Sequence, residues 1–274
     1  MQKFLEKLLQ QKKISFNTQQ IDFMLQNIGN TNSHLRDDLI YNLFARGFDE
    51  DTFTFVQKQL ITNELIESGN LFKAIKLDQN DSVFLRSFTA LALAEIISAD
   101  GKKNFLSDKD RNKLFSMSIV YLSSEKDFRG FVSGKGWAHT VAHGSDFLAA
   151  SIRNPLFPLD MVDKSFKVFF YILNQLETVF VDNEEQRISF ALISALESYK
   201  IIETEFVDYL LKLNENLWTS FSFSNQRSCY QMNVWICILQ NVYFMLNQKF
   251  FLTRKTINKL IQNYYKKEGY AFSD

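Results

Sequence analysis

The segment from Gly134 to Asp146 reads GKGWAHTVAHGSD and holds two of the three histidines in the chain. If it is helical, His139 and His143 stand one turn apart on one side, and Asp146 continues their stripe three residues further on. A histidine pair at this spacing can present two imidazole nitrogens to one divalent transition metal such as zinc. The spacing is that of the zinc-protease helix, but Thr140, Val141 and Ala142 lie between the histidines, so the glutamate that acts as base there is missing. On a straight helix Asp146 is ~10 Å along the axis from His139, which suits it better to orienting His143 than to chelating beside both. Trp137, Val141, Leu148 and Ile152 fall on the opposite flank and are expected to face the core.

Further groups must therefore come from elsewhere. Glu95 lies in a run that is apolar nearly all round, so its carboxylate is expected to be buried and paired, with Arg129 or Arg36 as partner. Asp127 and Arg129, in DFRG, precede the histidine segment closely enough to reach back over its N-terminal end. Glu184 and Glu185 open a later helix, where the backbone dipole alone accounts for acids. With these groups a metal-assisted hydrolysis can be written: His139, His143 and a carboxylate such as Asp146 as ligands, Asp127 or Glu95 as base, Arg129 against developing negative charge. The same residues equally describe a non-enzymatic cleft in which Trp137, His139, His143, Asp146 and Arg129 hold a small polar molecule or a peptide segment. They also describe a ligand-free hydrogen-bonded network. The binding cleft is preferred, because no complete catalytic set can be assembled from spacing alone.

The rest of the chain must position these residues. Two prolines, both inside 154–158, and nine glycines in 274 residues leave long stretches without turn punctuation. Between weak breaks, apolar residues recur at three- and four-residue steps, and no run alternates convincingly with period two. The expected fold is all-α, about a dozen stacked antiparallel helices in an armadillo- or HEAT-like array or a related helical toroid. It is read as a single domain over 1–274, with a joint at 153–158 between N- and C-terminal helix groups. Ser107 and Asn183 are the expected N-caps of their helices.

Thirty-one basic residues balance thirty-one acidic ones, so no global field draws the chain to nucleic acid or anionic lipid. Phosphate-loop, dinucleotide-binding, nucleophile-elbow and paired-cysteine motifs are absent. The opening MQKFLEKLLQQKK reads as an amphipathic helix rather than a secretory leader. Ser228 to Gln248 lacks charge over a length that could span a bilayer, but its load of Gln and Asn off one apolar stripe marks a core helix. Cys229 and Cys237, eight apart on that helix, cannot bridge, so a reduced, cytoplasmic setting is expected.

Beside its histidine segment the chain carries RDDLIY (Arg36 to Tyr41), FLRSFTAL (Phe84 to Leu91), DFRG (Asp127 to Gly130) and EEQR (Glu184 to Arg187). In these pieces it resembles, over most of its length, an uncharacterised bacterial family of all-helical proteins, the domain of unknown function 2785 family. The resemblance implies a helical fold and marks the histidine segment as the site without implying a reaction. EEQR is less acidic than the resemblance leads one to expect.

Overall fold

The computed structural model describes residues 1–77 and 79–270. Among them the chain is all-α apart from one two-residue-per-strand hairpin, and it divides into two compact units, Met1–Phe157 and the chain from Pro158 onward.

The first unit contains α1 (Gln2–Leu9), α2 (Thr18–Asn27), a π-helical stretch (His34–Tyr41) that runs into α3 (Asn42–Asp49), then α4 (Phe55–Glu67), α5 (Ser82–Lys102) and α6 (Asp108–Ser124). The hairpin β1 (Phe131–Val132) and β2 (Gly136–Trp137) and the helix α7 (Thr140–Arg153) complete it. Capping chemistry sets several starts. Asn17 and Thr54 form reciprocal capping boxes with Gln20 and Gln57, and Ser107 accepts from the Asp110 amide as expected. His34 is exposed, and its Nδ1 lies 2.9 Å from Asp38.

The central helix is α5, buried on nearly every side. By length and hydropathy it could cross a membrane, but 78% of its apolar window is enclosed by the fold. It makes the unit's most extensive helix contact with α7. Contacts at both ends show that these two helices run parallel: Ser87 meets His143 near their starts, and Asp100 and the Ile97 carbonyl meet Asn154 near their ends. The antiparallel return expected of short connections is supplied by α6, which carries the chain back between them. A buried cluster secures the far end, where Arg111 and two backbone amides converge on the Asp100 carboxylate; these donors hold it below the usual carboxylate range against the cost of its burial.

The second unit contains α8 (Val162–Gln175), α9 (Glu184–Glu197), α10 (Glu203–Ser220), α11 (Gln226–Met245) and α12 (Phe251–Lys267). Met232, Trp235, Ile236, Leu239 and Val242 of α11 are buried and Asn233 is exposed, as the amide pattern predicts for a core helix, but Gln231 is buried with the stripe. Cys229 and Cys237 are free thiols, and burial raises the Cys237 thiol pKa, which opposes thiolate chemistry. The cap expected from Asn183 does not form. Asn183 takes a left-handed conformation (φ 65°) without a side-chain cap bond, and the neighbouring Glu184 carboxylate accepts from the Asp182 amide instead, at 3.1 Å.

Candidate functional site

The histidine segment is not one continuous rod. Gly136 at φ +78° and the antiparallel pairing of Phe131 with Trp137 withdraw residues 131–137 into the hairpin. Pairing continues past β2, the Ala138 and His139 amides donating to the Gly130 and Arg129 carbonyls at 2.8 and 3.0 Å. The helix therefore begins at Thr140, with His139 as its N-cap in the left-handed conformation (φ 48°). Non-glycine residues adopt that conformation only where their surroundings impose it, and such strain clusters at functional positions. Trp137 corrects the reading that placed it on the core flank of a helix: it is 38% exposed on the hairpin, and its ring stacks on His139 at 4.3 Å between centroids.

This start does bring the two imidazoles together. Their centroids are 5.7 Å apart with the planes nearly perpendicular, and Phe88 packs edge-on against His143 at 5.0 Å. His143 is buried and His139 half-buried. The tautomer of His143 follows from its neighbour. The Ser87 hydroxyl, fully enclosed, hydrogen-bonds to the Ala138 carbonyl and to His143 Nδ1, the latter at 2.7 Å. A carbonyl only accepts, so the single hydroxyl proton goes to Ala138 and His143 Nδ1 must carry the proton donated to Ser87. Nε2 is then the nitrogen with the lone pair, the arrangement by which supporting groups prepare an imidazole to accept a hydrogen bond or bind a metal.

Two buried arginines hold the hairpin against α5. Arg36, from the π-helical stretch, is fully buried and ion-paired with Asp37 at 2.7 Å. Its guanidinium donates to the carbonyls of Asn30, Lys135 and Trp137 and lies over the Phe84 and Phe88 rings at 4.4 and 4.7 Å. Desolvation pushes the Asp37 carboxyl up and the Arg36 guanidinium down. Arg86 pairs bidentately with Glu125 at 2.7 and 2.9 Å, both side chains buried. Glu125 in turn accepts from the Lys126 and Asp127 amides, and the Asp127 carbonyl accepts from the Thr140 hydroxyl at the start of α7. Each link fixes backbone, so the imidazole pair rests on a chain of satisfied buried polar groups.

The remaining candidates are placed as follows. Arg129 donates to Asp127 at 2.6 and 2.8 Å and to the Asn80 carbonyl at 3.0 Å, and the carboxylate beside it raises its pKa; DFRG reaches the histidine helix through its backbone. Glu95 is half-buried and accepts from the Tyr41 hydroxyl at 3.0 Å, which replaces the arginine partner expected for it, since Arg36 and Arg129 are engaged elsewhere. Burial raises the Glu95 pKa, and the charges of Asp49 and Asp146 raise it further. Asp146, half-buried one turn beyond His143, thus acts electrostatically on the Tyr41–Glu95 side of α5. In the second unit Glu184 and Glu185 are both buried. Burial holds the Glu184 carboxyl up at about 7 and raises that of Glu185, and Asp182 and Glu184 each bring an oxygen within 4.8 Å of the other.

Sequence reasoning missed Ser87, and it missed the part played by Arg36 and Arg86. Ser87 sits in a run that reads as plain core helix. Charged residues inside apolar stretches, Arg36 in HLRDDLIY and Arg86 in FLRSF, were the available signal that the hairpin is clamped from below. No curated protein and no solved structure gives a match to the chain. The family model described as "Protein of unknown function (DUF2785)" matches residues 71–244, a span that includes α5, the hairpin and the histidine helix, and the chain belongs to that family.

Proposed function

We propose that the first unit binds a small polar ligand at the imidazole pair, with no reaction catalysed there. The observation that carries this reading is the Ser87 clamp, which fixes the His143 ring beside a half-exposed aromatic surface made of Phe131, Trp137 and the His139 stacked on it. A ligand suited to these groups lays a planar or apolar part on Trp137 and places a polar group at the edge of the imidazole pair. Asp146 and Arg129 contribute charge at the margin rather than direct contact in this reading.

The same clamp favours a second reading. A proton held on Nδ1 by a fixed acceptor is the usual support of a metal-binding imidazole, and two rings 5.7 Å apart can share one divalent ion such as zinc. His139, His143 and Asp146 would then be ligands of a metal-dependent hydrolase. Elemental analysis of the purified protein and of His139→Ala and His143→Ala separates the two. A stoichiometric transition metal lost in both variants supports the hydrolase. Metal-free protein whose variants stay folded supports the ligand site, and unfolding of either variant refutes both.

A further inference from the structure

Large apolar side chains stand in solvent at one end of the second unit. Phe244 and Met245 close α11, Phe251 and Leu252 open α12, and all four are exposed, Phe244 by 81%. Arg254 ties the two helix ends together, its guanidinium lying over the Tyr243 ring at 4.1 Å and donating to the Leu246 carbonyl at 3.2 Å. The turn between α9 and α10 adds exposed Tyr199 and Ile202. Lys249 fastens that turn to the α11–α12 turn, its ammonium donating to the Tyr199 hydroxyl at 2.9 Å and lying 4.7 Å from the centre of the Phe250 ring. Single exposed apolar groups are ordinary, but a gathering of them marks an interaction surface.

The charge beside this surface has one sign. Between Phe251 and Lys267, α12 carries Arg254, Lys255, Lys259, Lys266 and Lys267 and no acid. Its inner stripe, Thr253, Ile257 and Leu260, is buried in the unit. Helical spacing therefore sets Leu252, Lys255, Lys259 and Lys266 along the outer face, where all four are exposed. Among the described residues no carboxylate pairs with these three lysines. Two carboxylates that contact this end are engaged by its turns: Glu197 accepts from the Asn247 amide at 3.2 Å and pairs with Lys249 at 3.5 Å, and Glu203 accepts from the Thr253 amide at 2.8 Å. The balanced charge of the whole chain conceals a local cationic face bordered by exposed hydrocarbon.

A second copy seated on the same face would set lysine against lysine. Met245, Leu252 and Ile202 are aliphatic and give nucleic-acid bases no ring to stack on. Hydrocarbon edged by unpaired lysines matches an anionic lipid surface, where apolar side chains enter the acyl boundary and ammonium groups stay at the level of the headgroups. We propose that this end of the second unit docks on anionic membrane, with Phe244, Met245, Phe251 and Leu252 entering the lipid and Lys255, Lys259 and Lys266 meeting its headgroup anions.

Flotation of the full chain with extruded vesicles tests this. The chain should float with phosphatidylcholine vesicles containing about 30% phosphatidylserine and not with phosphatidylcholine alone, and salt at about 0.5 M should release it. Lys255→Gln, Lys259→Gln and Lys266→Gln together should weaken partitioning on the order of a hundredfold, at roughly fivefold per lysine. Phe244→Ser with Phe251→Ser should weaken it at least about tenfold, and since both rings are exposed the variant should melt like the wild type. No flotation of the wild-type chain at about 1 mM lipid, equal flotation with neutral vesicles, or folded variants that float like the wild type overturns the proposal. So does a wild-type dimer that the phenylalanine variant disperses, or binding of poly(U) without binding of vesicles, which would assign the face to a second copy or to nucleic acid.

Discussion

Replacing Ser87 by alanine removes one oxygen from the point where α5, the hairpin and α7 meet. The Ala138 carbonyl and the His143 Nδ1–H both rely on that hydroxyl, and Ser87 and Ala138 are wholly enclosed. Each buried polar group left unsatisfied costs ~1–3 kcal/mol, while alanine returns ~0.5 kcal/mol in helix propensity. The net expectation is a loss of ~1.5–5.5 kcal/mol, felt first where α7 begins. Amide exchange followed by mass spectrometry reads this directly: protection of the first turn of α7, including the His143 amide on the His139 carbonyl, should fall by about tenfold or more. Nitrogen-15 spectra of the imidazoles supply an independent readout. Wild-type His143 should be the Nδ1–H tautomer, and the variant should lose that preference. Protection within threefold of wild type, or an Nε2–H tautomer in the wild-type chain, would refute the clamp.

Other outcomes follow from the same packing. Glu125→Gln leaves Arg86 buried without its counter-charge, and urea unfolding should show the first unit weaker by ~3–5 kcal/mol. A β-carbon at Gly144 would lie 2.5 Å from Leu122 Cδ2 and 2.9 Å from Tyr121 Cε1, so Gly144→Ala should cost ~1–3 kcal/mol, measurable as a lower denaturation midpoint at unchanged slope. Glu184 is held at about 7 against an ordinary 4.5, so the folded chain keeps a proton that the unfolded chain releases between those values. Stability from this group is therefore greatest below about 4.5 and falls as pH rises to 7, by up to about 3 kcal/mol. Glu184→Gln should abolish that slope: its gain over wild type should be largest at pH 8 and absent at pH 4, and a gain independent of pH would contradict the assignment.

How far the primary structure reaches can be seen residue by residue. Helical periodicity, sparse proline and glycine and the Ser107 cap pointed to an all-α chain, because those signals act within a turn or two of backbone. The closeness of His139 to His143 was legible from their four-residue spacing, although the helix expected to carry both begins only at Thr140. Trp137 was misplaced because a two-residue strand leaves almost no alternation to detect, and because Gly136, which permits the turn, reads like any other helix interruption. Its necessity lies in space: a β-carbon there would stand 2.5 Å from Ser33 Cβ, a residue about a hundred positions away. Likewise Glu95 was assigned an arginine and received Tyr41, and Ser87, unremarkable in its own helix, governs the proton on His143. Local pattern chose the elements and the residue types able to do chemistry. Partner choice among buried polar groups depended on which helices became neighbours, a long-range outcome that only tertiary packing decides.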